Sequence, residues 1–198
     1  MAGPSPTMDG VAALKALSRA RRDEIVVLSE STRQDWPPVS TRPELDIAVT
    51  GSMSKASSFG LGVALARPER GVWVLDTDGA LLMNLGSLVT IAAAKPGNLL
   101  HVVYDNEAYD TTGGQPTPGA GVIDFSAFAR DAGYPRAFRF DRIEDFELRL
   151  PEVLGGTGPT LMVLKNASRG RRQGSITASR PTRQAFYEIK DLLARKAR

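Results

Sequence analysis

The sequence VWVLDTDGALLMNLG, residues 72–86, decides the fold, because an apolar strand run in it leads directly into polar residues and a helical pattern. An apolar run this short is typical of a strand buried on both faces of a parallel sheet. A second such run, LLHVVY at residues 99–104, is followed by Asp105-Asn106. Ligands of open parallel sheets bind at the carboxyl ends of the strands. Asp78 and Asn106 are therefore the first candidate functional residues.

These two residues offer a carboxylate and an amide oxygen, which suit Mg²⁺ or Ca²⁺ better than zinc. One carboxylate and one amide cannot enclose a divalent cation, and Mg²⁺ in such half-sites usually takes its other ligands from phosphates and water. A helix predicted at residues 81–95 would point its first N–H groups at an anion. The pattern predicts a metal-bridged diphosphate site. The alternative is that Asp78 caps a helix and Asn106 occupies a turn.

Strand and helix patterns alternate along the chain. Strands are predicted at 24–29, 45–49, 72–77, 99–105, 136–140 and 160–165, and helices at 8–21, 55–66, 81–95, 125–132, 143–154 and 182–197. The alternation predicts an α/β fold with a single, doubly wound, mainly parallel sheet and helices on both faces. We expect an N-terminal segment 1–22 with a short helix, a domain 23–181, and a C-terminal helix 182–198 packed on it. Residues 31–44 and 107–122 are predicted loops, and the second is long enough to indicate an active-site cover.

Composition excludes several classes of protein. The 198 residues are 42% hydrophobic and 24% charged, which is ordinary for a globular chain. Basic residues are dispersed within a net charge of +3, so we expect no nucleic-acid partner. The absence of cysteine excludes disulfides and thiolate metal sites and favours the cytoplasm. We find neither a secretory signal nor an apolar run of ~18 residues, and so expect no membrane partner.

Three blocks resemble a known family: GSMSKASSFGLGVALA from Gly51, DTDGALLMNLGSLVTIA from Asp76, and DNEAYDTTGGQPTP from Asp105. An Asp-Gly pair, 26 further residues and then Asn106 are similar to the signature of thiamine diphosphate enzymes. The flanking residues resemble the diphosphate-binding (PP) half of phosphonopyruvate and sulfopyruvate decarboxylases. The resemblance covers roughly residues 23–181. It implies the PP-domain fold and the cofactors thiamine diphosphate and Mg²⁺.

The resemblance also implies roles for individual residues. Asp78, Asn106 and the backbone carbonyl of Ala108 would bind the metal. Met53 would impose the bent shape of the cofactor and the Gly51 carbonyl would accept a hydrogen bond from its 4′-amino group, which makes these two the catalytic residues of this chain. The alternative for Met53 is a plain core position. The implied cofactor-binding residues are Gly51, Ser52, Met53, Asp78, Gly79, Ala80, Asn106, Ala108 and Tyr109.

Substrate recognition is predicted at the mouth of the same site. An anionic tail such as phosphonate or sulfonate would suit the ammonium group of Lys55 and the hydroxyl and amide groups of Thr111, Thr112 and Gln115. The loop could equally be an ordinary surface turn, and Lys55 could face solvent without a ligand. Asp110 stands where the family often has glycine and would put negative charge at the entrance. These departures leave the identity of the substrate open.

Other polar residues have plainer interpretations. His101, the only histidine, lies inside an apolar strand run, so a core position is favoured over a catalytic one. Glu30 ends the first strand and could approach the site, but a capping or surface carboxylate is the favoured interpretation. The amides of Gly79 and Ala80 are the expected phosphate donors. Thr77 replaces a glycine usual in the family, which a strand end tolerates.

The family also has a glutamate that activates the cofactor from a separate pyrimidine-binding (PYR) domain, and nothing in this chain resembles such a domain. The resemblance therefore implies the β-type subunit of a split enzyme. An α-type PYR-domain subunit would be its partner, in an α2β2 or higher assembly. The implied activity is that of a lyase that decarboxylates a small 2-oxo acid to an aldehyde. The alternatives are an acetolactate synthase-like carboligase subunit and a non-catalytic assembly subunit.

Overall fold

The computed structural model describes residues 8–51, 53–168 and 181–195, and one parallel sheet runs through this part of the chain. The strands are β1 (Ile25–Leu28), β2 (Asp46–Ala48), β3 (Val72–Thr77), β4 (Leu99–Asp105), β5 (Ala108–Tyr109), β6 (Gln115–Pro116), β7 (Arg136–Phe140) and β8 (Thr160–Lys165). Six of them form the sheet in the order β2-β1-β3-β4-β8-β7, and every neighbouring pair is parallel. The predicted α/β fold is confirmed.

Helices cover both faces of this sheet. They are α1 (Gly10–Ala20), α2 (Thr32–Asp35), α3 (Ala56–Ala66), α4 (Asp78–Leu82), α5 (Gly86–Ala94), α6 (Phe125–Ala132), α7 (Ile143–Leu154) and α8 (Thr182–Arg195). One apolar core lies between the sheet and α1 and α7, and a second lies between the sheet and α3, α5 and α6. Strands β1, β3, β4 and β8 are buried at every position, which explains their continuous apolar runs.

Small residues let α3 lie against the sheet. A Cβ atom added at Gly60 would come within 2.2 Å of a methyl carbon of Val74 on β3, so any larger side chain would push the helix outward. On the outer edge, Ile189 and Leu193 of α8 pack with Ile25 and Ile47. In the described part of the chain, none of the helices combines the length and the apolar character needed to cross a membrane.

Two local predictions are wrong. The predicted helix at 81–95 begins earlier, at Asp78, and is interrupted between Leu82 and Gly86. Thr77 caps the earlier start by accepting a hydrogen bond from the Ala80 amide, and a glycine at position 86 disfavours an unbroken helix. The predicted loops 31–44 and 107–122 contain α2 and the β5–β6 hairpin respectively.

The topology opens a crevice between β1 and β3. After β1 the chain passes to β2 on one side, whereas after β3 it passes to β4 on the other side. The two connections therefore diverge at the carboxyl ends of adjacent strands. Such a switch point is the usual ligand site of an open α/β sheet.

Candidate functional site

Residues that lie at or after the ends of several of the strands, most of them polar, line the crevice at the switch point. They are Glu30, Ser31, Met53, Thr77, Gly79, Ala108, Tyr109, Asp110 and Thr111, and we call this set the crevice. A larger cavity of about 440 Å³ lies between α3 and α8, but its lining is mostly apolar and comes from helix flanks. Because polar groups that lie at or after the ends of β1 and β3 converge at the crevice, we place the candidate site there.

Asp78 is the most unusual group beside the crevice. Its side chain is 1% exposed, and one carboxylate oxygen, Oδ2, accepts a hydrogen bond of 3.0 Å from the Thr117 hydroxyl. The other oxygen, Oδ1, is buried and has no hydrogen-bond partner among the residues that the structure describes. Burial, reinforced by the nearby carboxylate of Asp105, raises the pKa of Asp78 to about 7. A buried carboxylate with an unpartnered oxygen is destabilising, and binding of a cation or a proton relieves this cost.

The carboxylate of Asp78 therefore fits the predicted metal. Among the described residues there is no cluster of three or more acidic, histidine or cysteine side chains that could bind an ion alone. A single carboxylate with an amide and a backbone carbonyl instead fits Mg²⁺, which readily keeps water and takes phosphate ligands. The residues present thus fit a metal that is shared with a diphosphate.

Asn106 is held in one orientation by its neighbours. Its Nδ2 donates to Asp110 Oδ2 at 2.8 Å, and its Oδ1 accepts from the Ala108 amide at 3.1 Å. Asp110 is buried and also accepts a hydrogen bond of 2.6 Å from the Ser168 hydroxyl. The prediction that Asp110 puts charge at the entrance is therefore wrong. It is buried within the crevice lining and fixes the amide group of Asn106, as the outer partners of metal ligands do.

Tyr109 closes over the start of α4. A Cβ atom added at Gly79 would come within 2.5 Å of the Tyr109 ring, so only glycine allows this approach. The Ala80 amide, one of the two expected phosphate donors, is already engaged at 3.3 Å by the Thr77 hydroxyl. Thr77 thus competes for a donor that the family's glycine would leave available.

A buried lysine neutralises part of the acidic strand ends. Lys165, at the end of β8, lies 3.1 Å from Asp105 Oδ2 and also contacts the Glu107 carboxylate. Glu107 has a left-handed backbone, with φ of 57°, between Asn106 and Ala108. Although Lys165 opposes it, burial raises the pKa of Asp105. Lys165 therefore supports the turn that carries two of the three predicted metal ligands.

Of residues 51–53, which are predicted to bind the cofactor, the structure describes Gly51 and Met53. Met53 is half-buried, lines the crevice, and lies outside the apolar core clusters. Gly51 has φ of +66°, which favours glycine at this turn. Ser52 falls outside the described residues. The roles of Met53 and Gly51 stay predictions.

The predicted substrate residues do not all lie in the crevice. Thr111 lines the crevice. Thr112 and Gln115 are exposed and bond to each other, with 3.1 Å between Thr112 Oγ1 and Gln115 Oε1. Lys55 is exposed at the start of α3 and is not part of the crevice lining. Anion recognition by these residues stays a prediction.

Sequence reasoning missed two residues and misjudged a third. Thr117, which binds Asp78, and Ser31, in the crevice, were not considered. Glu30 lines the crevice with a side chain only 16% exposed, so the favoured interpretation as a capping or surface carboxylate is wrong. The positive φ of Glu30 has no signal in the sequence. His101 is fully buried beside Asp76, as predicted.

Comparison with known proteins identifies the family. Residues 34–164 match the family model described as "Thiamine pyrophosphate enzyme, C-terminal TPP binding domain". The chain belongs to this family. Thiamine pyrophosphate is another name for thiamine diphosphate, so membership confirms the predicted family and its cofactor-binding domain. The matched range contains the crevice lining from Met53 to Thr111 and the predicted metal ligands.

Relatives of this thiamine pyrophosphate family member are decarboxylases by name. Phosphonopyruvate decarboxylase of Streptomyces hygroscopicus is 43% identical over 130 residues, 66% of this chain and 31% of that protein. Sulfopyruvate decarboxylase subunit beta of Methanothermobacter thermautotrophicus is 51% identical over 109 residues, 55% of each chain. The chain thus spans about a third to a half of these relatives.

A solved structure supports the fold alone. Benzoylformate decarboxylase from Polynucleobacter necessarius superposes with a TM-score of 0.72 at 19% identity, covering 87% of this chain and 36% of that one. The agreement extends over most of this chain, so its parallel sheet and helical layers have the same fold as part of that larger protein.

Proposed function

We propose that this chain is the β-type subunit of a split, thiamine diphosphate-dependent 2-oxo acid decarboxylase. The observation that carries the proposal is the buried Asp78 carboxylate at the switch point, whose Oδ1 has no hydrogen-bond partner within the described part of the chain. An isolated carboxylate of this kind is costly unless a cation completes it. A relative with the same domain is named a decarboxylase beta subunit, which supports the split arrangement.

The strand-end residues would hold the cofactor through its metal. Asp78, Asn106 and the Ala108 carbonyl would be the ligands for Mg²⁺, and the metal would bind the diphosphate. When bound, thiamine diphosphate supplies the electron sink that decarboxylation of a 2-oxo acid requires. The chain's own residues would bind and orient the reactants: Met53, in the crevice lining, would support the cofactor rings, and Tyr109, close against Gly79, would exclude water.

We infer that the substrate is a small 2-oxo acid with an anionic tail. The relatives' names, phosphonopyruvate and sulfopyruvate decarboxylase, support this class. Lys55 and Thr111 are the residues of this chain that we assign to the tail. A cytoplasmic location, favoured by the absence of cysteine, also stays part of the proposal.

The partner would cover an apolar surface on one face of the chain. Leu65 on α3, Val89 on α5 and Met83 before α5 are each more than half exposed. The two helices contact each other and are joined by a buried Ser57–Ser87 hydrogen bond of 3.1 Å. Exposed apolar side chains on two contacting helices are a candidate interaction surface. It supports an α-type PYR-domain subunit that would complete the cofactor site with its glutamate.

The isolated chain is expected to be inactive. Without the partner's glutamate and half of the cofactor site, the purified chain should release no CO₂ from 2-oxo acids and should bind thiamine diphosphate weakly. The measurement is CO₂ and aldehyde release from pyruvate, phosphonopyruvate and sulfopyruvate, for the chain alone and for the chain co-expressed with a PYR-domain subunit. Turnover by the chain alone would contradict the split-enzyme proposal, and a silent complex would contradict the decarboxylase proposal.

Met53→Ala should impair turnover more than cofactor binding. A side chain that only shapes the cofactor contributes mainly on the way to the transition state, so kcat should fall by roughly 10-fold or more while the Kd for thiamine diphosphate changes little. Kinetics and calorimetry on the assembled complex measure both. Leu148→Ala, at an exposed apolar residue on α7, is the control and should change neither value. Equal kcat in the Met53 variant and the parent would remove Met53 from the site.

A further inference from the structure

Glu30 occupies the centre of the switch point. It lies two residues beyond the end of β1 and lines the crevice together with Met53, Thr77 and Tyr109. Its carboxylate therefore lies at the carboxyl ends of the strands, where the proposed substrate would react. Neither the predicted metal ligands nor the predicted substrate residues include it.

The backbone at Glu30 is unfavourable for glutamate. Its φ of 39° lies in the left-handed region, which glycine adopts readily and other residues adopt at a cost. The Arg33 amide donates to the Glu30 carbonyl at 3.1 Å, so the first turn of α2 holds this conformation. A non-glycine residue kept in such a conformation at a ligand site is typical of a functional side chain.

Three charged groups surround the Glu30 carboxylate. Arg33, on α2, is the nearest cation, but its Nη2 is 4.0 Å from Oε2, too far for a hydrogen bond. Asp76, on β3, adds negative charge, and Asp110 shares the crevice. Burial, with a smaller contribution from Asp76, raises the pKa of Glu30 against the opposing effect of Arg33. Glu30 therefore keeps a proton at a higher pH than an exposed glutamate does.

Decarboxylation to an aldehyde needs a proton at one defined carbon. The bond between the carbonyl carbon and the carboxylate breaks, CO₂ leaves, and the electron pair of that bond stays with the carbonyl carbon. The pair must then form a C–H bond, so each turnover consumes one proton. The proton donor has to face the crevice and must be able to carry a proton near neutral pH.

The other acids near the crevice are already engaged. Asp110 accepts hydrogen bonds from Asn106 and Ser168, and Asp78 is assigned to the metal. His101 is fully buried between strands and does not line the crevice. Among the described residues, the Glu30 side chain makes no hydrogen bond, so its carboxyl group remains available to the reactants.

We propose that Glu30 donates the proton that replaces the departing carboxylate on the aldehyde carbon. The inference rests on the proposed decarboxylase function. The carboxylic acid of Glu30 loses its proton to the electron pair of the broken bond and becomes a carboxylate, which solvent reprotonates before the next turnover. Arg33 stabilises the carboxylate form in the meantime.

The decisive test separates CO₂ release from aldehyde release. In a single turnover of the chain with its PYR-domain partner, Glu30→Gln should release CO₂ at the parent rate. Aldehyde should form about 10²-fold more slowly, because removal of a general acid usually costs at least that factor. In the parent, the rate of aldehyde formation should fall as the pH rises through the pKa of Glu30, and this fall should vanish in the variant.

Two further variants distinguish a proton donor from a structural residue. Glu30→Gly removes the acid and relieves the left-handed backbone, so it should show the same aldehyde defect while its Tm is no lower than that of the parent. Arg33→Met leaves the acid but removes its cation, so the pH profile of aldehyde formation should shift upward.

The outcomes are distinct. Equal losses of CO₂ and aldehyde in Glu30→Gln, or an unchanged rate of aldehyde formation, would overturn the donor role. Parent complex that releases no CO₂ would overturn the proposed function, and the donor role with it. CO₂ release without aldehyde in the Glu30 variants alone establishes the donor role.

Discussion

Asp78→Asn is expected to abolish Mg²⁺-dependent binding of thiamine diphosphate and, at the same time, to stabilise the metal-free chain. The amide keeps the shape of the side chain but removes the charge that a metal requires. In the metal-free chain that charge is destabilising, because Asp78 is buried and none of the described residues forms a hydrogen bond with its Oδ1. The variant should thus lose Mg²⁺-dependent cofactor binding and gain free energy of unfolding, both because the carboxylate charge is removed.

The pH dependence follows from the pKa of Asp78, which lies at about 7 in the folded chain and at 3.8 in the unfolded reference. Below the unfolded pKa both states bind the proton. As the pH rises towards 7, the unfolded chain ionises freely while the folded chain does not, so stability is lost over this range. At about 1.4 kcal/mol per pKa unit, the loss is on the order of 3–4 kcal/mol by neutral pH.

Denaturant unfolding of the metal-free parent and variant at pH 4 and pH 8 measures this effect. The gain in unfolding free energy from Asp78→Asn should be small at pH 4 and should reach a few kcal/mol at pH 8. Asp131→Asn, at an exposed position on α6, is the matched control and should show no such difference between the two pH values. A variant that is no more stable than the parent at pH 8 would contradict the conclusion that the Asp78 carboxylate destabilises the chain when no metal is bound.

Metal binding should be tested in the assembled complex by calorimetry. Parent complex should bind thiamine diphosphate only with Mg²⁺, and Asp78→Asn should bind it weakly with or without the metal. Because the metal competes with a proton for Asp78, the affinity of the parent should also fall below pH 7. Unchanged cofactor affinity in the variant would remove Asp78 from the metal site, whatever its effect on stability.

The fold was predictable because its strands are continuous apolar runs. Strands buried on both faces, such as β3 and β4, need no amphipathic pattern, and α1, α6, α7 and α8 carry clear helical periodicity. Short elements escaped prediction since their stability comes from tertiary contacts. The Thr32 hydroxyl, for example, starts α2 by donating to carbonyl oxygens of both Ser29 and Leu75, and the second of these is distant in the sequence.

The site was predictable where a residue follows a strand and much less so where a loop folds back. Asp78 and Asn106 were found from their place after β3 and β4. Thr117 reaches Asp78 only because the β5–β6 hairpin returns over the strand ends. Glu30 enters the crevice because its backbone adopts a left-handed conformation that nothing in its residue type indicates. Both depend on chain geometry rather than on local pattern.

Lys165→Met should destabilise the chain by roughly 3 kcal/mol or more, because it leaves a buried carboxylate without its cation. Lys165 is 9% exposed, and its ammonium group lies between the carboxylates of Asp105 and Glu107. The loss should be larger at pH 8 than at pH 5. Burial already raises the pKa of Asp105, and removal of Lys165 raises it further, so more stability is lost as the pH rises.

The same variant should weaken metal binding in the assembled complex. Lys165 contacts Glu107, whose left-handed backbone separates Asn106 from Ala108, so its removal loosens the turn that presents both ligands. Arg19→Met is the control, since it breaks an ion pair with Glu147 in which both side chains are at least half exposed. That control should change neither stability nor metal affinity measurably.

A second substitution separates charge from packing in the Lys165 prediction. Asp105→Asn combined with Lys165→Met removes the buried carboxylate together with its cation, so the double variant should be more stable than Lys165→Met alone at pH 8. Metal affinity should recover less than stability, because the contact between Lys165 and Glu107 is still missing. If the double variant were as unstable as the single one, Lys165 would contribute through the packing of its alkyl chain and not by neutralising the strand ends.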